Sequence, residues 1–202
     1  NLNTSFVMVG FPICGYLNQT DSINFFFCSK VLNRMNGLLF NTLRRNKGIA
    51  YSFFSETDQE KNIGFFSINA ECSSENINHK DHSKDIVYTI LEIFRNVLLG
   101  FSNDEMSEGK QYIKQVYKQE NNNYQHIAEY NAKQIFIGKE TNTAPLLHNQ
   151  IYSKYIEPLN NKKLMSSIHK YFTSDKLHIS ITSKHPPSKS YITKVCGLIA
   201  SV

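Results

Sequence analysis

The pattern of apolar and polar positions along the chain predicts strands near both ends and helices between them. Residues 5–10 form a continuous apolar run, which predicts a strand buried on both faces. Apolar and polar residues alternate over 63–72 and again over 177–182, as in half-buried strands. We expect the first of these two segments to pair with 51–54 in a hairpin, with the polar run TDQEKN in its loop.

Apolar residues at three- and four-residue spacing predict the helices. The clearest helix covers residues 87–101, with Gly100 near its end, and Ser102 can begin the next one. Further helices are predicted within 21–32, 103–117, 124–135, 144–155 and 160–172. The tail from 184 to 202 fits a strand or a short helix. The whole pattern predicts one α+β domain over residues 1–202, a two-layer sandwich with helices packed on a largely antiparallel sheet.

The segment 37–56 combines a basic helix end with a tyrosine at the start of a strand. Leucines recur at helical spacing up to Leu43, Arg44 and Arg45 fall in the last turn, and Gly48 is placed to end the helix. The β-branched and aromatic residues after Gly48 predict a strand from Ile49, with Tyr51 just inside it. This arrangement predicts a guanidinium and a phenol at one sheet edge. An ordinary basic helix end beside a half-buried tyrosine is the simpler interpretation.

This segment resembles part of the C-terminal-type, non-zinc domain of the pitrilysin/insulinase family of inverted-zincin metallopeptidases. The positions that match the family pattern are Leu43, Arg44, Gly48, Ile49, Ala50 and Tyr51. The order of the predicted elements up to about Ser183 also resembles the family. In that family an arginine and a tyrosine reach across from the domain opposite the zinc to hold the substrate carbonyl and the developing oxyanion. The resemblance therefore implies catalytic and substrate-binding roles for Arg44 and Tyr51, with Arg45 as the competitor for the arginine's role.

No metal site is expected within these residues. The nearest pattern, His126 to Tyr130, has a tyrosine where the inverted zinc motif H-x-x-E-H has its second histidine, and a neutral phenol is a poor replacement for imidazole. His79 and His82, with Cys72 upstream, match no usual zinc spacing. The sequence also lacks a G-x-S-x-G motif, a P-loop and a glycine-rich dinucleotide turn, so nucleophilic and nucleotide-cofactor chemistry have no support.

Composition narrows the class of protein and of partner. The 202 residues are 41% hydrophobic and carry a net charge of +5, but the lysines are scattered and form no nucleic-acid signature. The four cysteines are far apart, so we expect reduced thiols and an intracellular location, in the cytoplasm or an organellar matrix. No apolar run reaches about 18 residues, so no membrane span is predicted. The chain opens without methionine or a leader, which we interpret as a fragment of a longer chain.

Three functions fit this sequence. The leading hypothesis is a domain of a zinc metalloendopeptidase that degrades or processes peptides in a closed chamber. The resemblance then implies that zinc is bound by an N-terminal domain, in the same chain or in a partner subunit, and that the fragment alone is inactive. The alternative is a non-catalytic homologue that serves as a structural or regulatory scaffold for protein interactions. An unrelated interaction domain with the same α+β pattern is a third possibility.

Overall fold

A four-stranded antiparallel sheet forms one layer of the molecule. The structure is a computed structural model that describes residues 3–141, 147–184 and 187–197. The strands, in the sheet order β2-β3-β1-β4, are β1 (Thr4–Cys14), β2 (Ser52–Gln59), β3 (Ile63–Ser73) and β4 (His178–Thr182). All three strand pairs are antiparallel. The predicted strands, the hairpin of β2 and β3 and the antiparallel sheet are therefore confirmed.

Helices make up the second layer. They are α1 (Gln19–Leu32), α2 (Ile86–Leu99), α3 (Asn103–Glu120), α4 (Tyr124–Thr141), α5 (His148–Ile151), α6 (Asn161–Tyr171) and α7 (Lys189–Cys196). The described residues also contain two π-helical segments, Phe40–Asn46 and Tyr152–Ile156, and three short 3₁₀ turns, Ser74–Asn76, His82–Lys84 and Ser174–Lys176. The tail therefore contains a helix, α7. The predicted start of a helix at Ala144 lies outside the described residues.

The core lies between the sheet and the helices. One face of β3 buries Phe66, Ile68, Ala70 and Cys72 almost completely, as its alternation predicted. Phe172, which follows α6, stacks on Phe11 of β1 with ring centroids 4.6 Å apart. Rings from α1, α2 and β3 surround this pair, so a single aromatic cluster joins the two layers. The α+β sandwich predicted from the sequence is confirmed.

The opposite sheet face is more exposed than the sequence indicated. It comprises Phe6, Met8 and Gly10 of β1, the residues of β2 from Ser52 to Asp58 that have even numbers, the residues of β3 from Phe65 to Glu71 that have odd numbers, and His178 and Ser180 of β4. We call it the open sheet face. Phe6 is 53% exposed and Met8 36% exposed, so the prediction that β1 is buried on both faces is wrong. A continuous apolar run cannot tell a doubly covered strand from one whose second face remains accessible.

The hairpin differs from its predicted limits. Strand β2 begins at Ser52, three residues after the predicted start at Ile49. It continues through Gln59, which pairs with Gly64, so the predicted loop residues Thr57 to Gln59 belong to the strand. This segment belongs to an edge strand, so solvent can reach its polar side chains while its backbone stays paired with β3.

Candidate functional site

The basic helix end in the segment 37–56 is a π-helix, Phe40–Asn46, and not the α-helix that the leucine spacing predicted. Its backbone bonds span five residues, as in the bond from the Lys47 N–H to the Thr42 carbonyl at 3.2 Å. Gly48 then adopts a left-handed conformation, with φ +60°, and the Ile49 N–H bonds back to the Leu43 carbonyl at 3.0 Å. Leu43 is fully buried, so the wide last turn is fixed on the core.

The structure brings Arg44 and Tyr51 into the same turn. The Nη1 group of Arg44 donates hydrogen bonds to the carbonyl oxygens of Ala50 and Tyr51, at 3.3 and 3.4 Å. The backbone N–H of Tyr51 donates to the Glu71 carbonyl at 2.7 Å, which ties the turn to β3. Tyr51 lies just before β2 and not just inside it, because regular pairing begins at Ser52.

The side chains of this turn are accessible to a ligand. Tyr51 is 60% exposed, and Arg44 and Arg45 are both exposed. The bonds of Arg44 to two carbonyls use only part of its five N–H donors. A guanidinium and a phenol therefore stand at one end of the sheet with hydrogen-bonding capacity to spare. Arg45 lies on the same helix end, beside Arg44.

Lys47 fixes the turn from the other side, a role that the sequence analysis did not predict. Its Nζ donates to Thr89 Oγ1 and to Glu92 Oε2, each at 2.9 Å. Both partners lie on α2, more than 40 residues along the chain. The end of the π-helix that carries the two arginines is therefore tied to the central helix of the domain. A lysine that directly precedes a helix-ending glycine indicates only a favourable interaction with the helix dipole. No local pattern could therefore identify its partners on α2.

Within residues 3–141, 147–184 and 187–197, no group of three or more histidine, cysteine, aspartate or glutamate side chains could hold a metal ion. His126 is exposed, and Glu129 accepts a hydrogen bond from Gln125 of the same helix. His79 bonds to the backbone of Asp81 in its own loop. These two histidines are therefore surface and loop residues.

Three cysteines, Cys14, Cys28 and Cys72, are free and buried. Burial, assisted by Asp85 and Glu71, raises the pKa of the Cys72 thiol to about 12, so this thiol stays protonated at neutral pH. A protonated, buried thiol is neither a good nucleophile nor a metal ligand. None of the helices in the described ranges is long and apolar enough to cross a membrane.

Comparison with known protein families identifies the family of this chain. Residues 1–113 match the family model described as the peptidase M16 inactive domain. The chain belongs to this family. The resemblance of the sequence to the non-zinc domain of the pitrilysin/insulinase peptidases is therefore confirmed. No curated protein matches the chain.

Solved structures share the fold of this M16 domain at low sequence identity. A protease from Helicobacter pylori is 19% identical with a TM-score of 0.70, over 89% of this chain and 41% of that one. A chain of Complex III2 from Candida albicans, in a structure with Inz-5 bound, is 11% identical with a TM-score of 0.76, over 98% and 47%. The inactive peptidase domain of a predicted zinc protease from Bordetella parapertussis is 11% identical with a TM-score of 0.69, over 94% and 96%. The M16 domain thus spans less than half the length of the first two.

Proposed function

We propose that this chain is the non-zinc domain of a zinc metalloendopeptidase, and that it supplies Arg44 and Tyr51 to the substrate carbonyl and the oxyanion. The observation that supports this role is the hydrogen-bonded turn in which the Arg44 guanidinium reaches the Tyr51 backbone while both side chains stay exposed. Zinc would be bound by an N-terminal domain in the same chain or in a partner subunit. The family membership makes such a domain the natural counterpart.

The chemistry of the two side chains suits the task. Peptide hydrolysis passes through a tetrahedral oxyanion, which fixed hydrogen-bond donors stabilise without reorganisation. The planar guanidinium of Arg44 can donate two bonds in one plane, while the phenol of Tyr51 can donate one directed bond. The bound zinc would supply a water molecule of lowered pKa. The contacts of Lys47 with α2 and of Gly48 with the turn would hold the donors before substrate arrives.

The open sheet face is the surface that we propose to line the peptide chamber. It exposes Phe6, Met8 and Phe54, which are apolar side chains that a peptide could contact. The Arg44–Tyr51 turn lies at one end of this face, where Ser52 pairs with Glu71. Closure of the zinc domain over this face would enclose the peptide, so that it is degraded or processed in a closed compartment.

A non-catalytic role is the second candidate, and one comparison favours it. The fold of this domain matches a chain of Complex III2 from Candida albicans over 98% of the present chain and 47% of the Complex III2 chain. A homologue that lacks the zinc motif would keep the same domain as a scaffold for protein interactions. The two candidates differ in one observable, because the peptidase requires an intact H-x-x-E-H motif in the rest of the polypeptide or in its partner.

Peptide hydrolysis by the full-length parent protein tests the proposal. We expect Arg44→Ala and Tyr51→Phe each to lower kcat/KM by about 100- to 1000-fold, the usual effect of losing one oxyanion donor. Arg45→Ala is the matched control, since it removes the same charge one residue away. A large loss with Arg45→Ala and none with Arg44→Ala would exchange their roles. Near-normal turnover with both Arg44→Ala and Tyr51→Phe would contradict the assignment.

A further inference from the structure

A cleft with a volume of about 520 Å³ lies beside the second half of the edge strand β2. It is bounded by α1, by β2, by the end of α3, and by α4 and α5. A smaller cavity of about 240 Å³ shares four of its lining residues, which are Glu120, Tyr130, Lys133 and His148. We call the two together the edge cleft. Sites for small molecules typically measure about 300 to 1,000 Å³, so the edge cleft has the size of such a site.

Aromatic rings form one wall of the edge cleft as a continuous column. Phe26 stacks on Tyr117 with ring centroids 6.1 Å apart and planes 11° apart. Tyr117 stacks in turn on His148 at 4.4 Å and 2°, and Tyr130 contacts the His148 ring with centroids 3.7 Å apart. Three buried isoleucines line the same cleft, namely Ile23, Ile137 and Ile151. The wall therefore offers apolar surface to the body of a ligand.

His148 presents a buried acceptor that has no hydrogen-bond partner. The residue is only 5% exposed, and its Nδ1 donates to Asn121 Oδ1 at 3.1 Å, since an amide oxygen can only accept. Burial lowers the pKa of His148, against the opposing effect of Glu120, so the neutral ring is favoured and Nε2 keeps its lone pair. Nε2 forms no hydrogen bond with any residue that the structure describes. Buried polar atoms are normally paired, so this acceptor indicates a missing donor.

Glu120 places a second acceptor beside the first. Its Oε2 lies 3.7 Å from His148 Nε2, and two acceptors cannot bond to each other. Glu120 lines both parts of the edge cleft, and its side chain is 34% exposed. A single ammonium group carries three N–H donors, so it can bond to both acceptors at once. The pair therefore fits a protonated primary amine.

The other charges around the edge cleft also favour a cation. The carboxylates of Glu56, Asp58 and Glu120 line its larger part, and Glu129 lines the smaller one. Lysines contribute two charges, those of Lys30 and Lys133. The Nζ of Lys30 lies 5.2 Å from the centroid of the Phe26 ring, an arrangement that directs its charge to the ring. Carboxylates thus outnumber lysines in both parts of the cleft.

We propose that the edge cleft binds a small organic molecule that carries a protonated primary amine on an apolar body. The ammonium group donates to His148 Nε2 and to Glu120 Oε2, and the apolar body lies against the aromatic column and the isoleucines. The site is separate from the Arg44–Tyr51 turn, because it borders β2 only from residue 55 onwards. The inference therefore does not depend on the proposed catalytic role of that turn.

Three probes with the same phenylethyl body test this inference on the full-length parent protein. Ligand-observed NMR titration would compare phenethylamine, 2-phenylethanol and 3-phenylpropanoate, which are cationic, neutral and anionic. We expect phenethylamine to bind about tenfold more tightly than the alcohol, because hydrogen bonds between charged groups are the stronger ones, and the carboxylate to bind most weakly. Equal binding of amine and alcohol, or tighter binding of the carboxylate, would overturn the proposal.

Two variants then locate the amine. Glu120→Gln keeps the shape of the side chain and removes its charge, so it should weaken phenethylamine binding about five- to tenfold and change binding of the alcohol by less than about twofold. Asp104→Asn is the matched control, since it removes the same charge from an exposed position on α3 and should leave both affinities unchanged. An equal loss in the two variants, or no loss in Glu120→Gln, would contradict the assignment.

Histidine NMR supplies a readout that does not depend on the stability of a variant. In the parent protein with ¹⁵N-labelled histidine, phenethylamine should shift the Nε2 resonance of His148, which is identified by its absence in His148→Gln. The resonance of His178, exposed on β4, should stay in place. An unshifted His148 resonance at saturating phenethylamine would show that the amine binds elsewhere, and the proposal would be wrong. None of these measurements involves hydrolysis, so they stand or fail independently of Arg44 and Tyr51.

Discussion

Replacing Tyr191 by phenylalanine should destabilise the domain through a single buried carboxylate. The hydroxyl of Tyr191, on α7, donates to both oxygens of Asp85, at 2.7 and 2.9 Å. Asp85 is fully buried and also accepts from the backbone N–H groups of His79 and Tyr88, the second as the N-cap of α2. Tyr191→Phe keeps the ring in its place, so the change removes the hydroxyl donor and almost no volume.

The size of the expected loss in the free energy of unfolding follows from the charge of the acceptor, the Asp85 carboxylate. A hydrogen bond to a charged group contributes about 1.5 to 3 kcal/mol, and a buried carboxylate that loses its donor cannot turn to water. We therefore expect Tyr191→Phe to lower the free energy of unfolding by about 2 kcal/mol. Equilibrium unfolding in urea, followed by circular dichroism, measures this change, and the slope with denaturant should stay constant.

Tyr124→Phe is the matched control, because its ring is 89% exposed and its hydroxyl can bond to water. It should change the free energy of unfolding by less than about 0.5 kcal/mol. If Tyr191→Phe also stays within this range, the contact with Asp85 does not hold α7 on the domain, and the reasoning is wrong.

Three further predictions concern stability and can be measured by urea unfolding. Gly48→Ala should cost about 1 kcal/mol because φ is +60°, although the nearest atom to the new methyl group would be 3.8 Å away; no loss would contradict the conformational argument. Ser102→Ala removes the capping box with Glu105 at the start of α3 and should cost about 1 kcal/mol, whereas an exposed Ser→Ala change elsewhere should not. Burial lowers the pKa of His148, despite the opposing effect of Glu120, so the folded state favours the neutral ring. The contribution of His148 to the free energy of unfolding should therefore be fully present above about pH 6.5 and decrease below that pH, and the decrease should be smaller in His148→Gln. An unchanged dependence of the free energy of unfolding on pH in this variant would refute the explanation.

Local patterns in the sequence were sufficient for the elements that depend on neighbouring residues. The alternation of β3 and the three-four spacing of α2 each describe how one element buries one face, and the structure follows both. The start of α3 at Ser102 was readable for the same reason, since a capping box joins residues three apart. The family pattern placed Arg44 and Tyr51 seven residues apart across a helix-to-strand turn, and the two lie in one turn.

Only the tertiary structure decided the features that depend on distant residues. The π-helical form of Phe40–Asn46, the accessibility of the second face of β1, and the contacts of Lys47 with α2 and of Tyr191 with Asp85 all depend on partners or packing far along the chain. The edge cleft became visible only when the fold brought Glu120 beside His148. Periodicity reports which side of an element is apolar. It carries no information on which distant surface covers that side, because this depends on the packing of the whole chain.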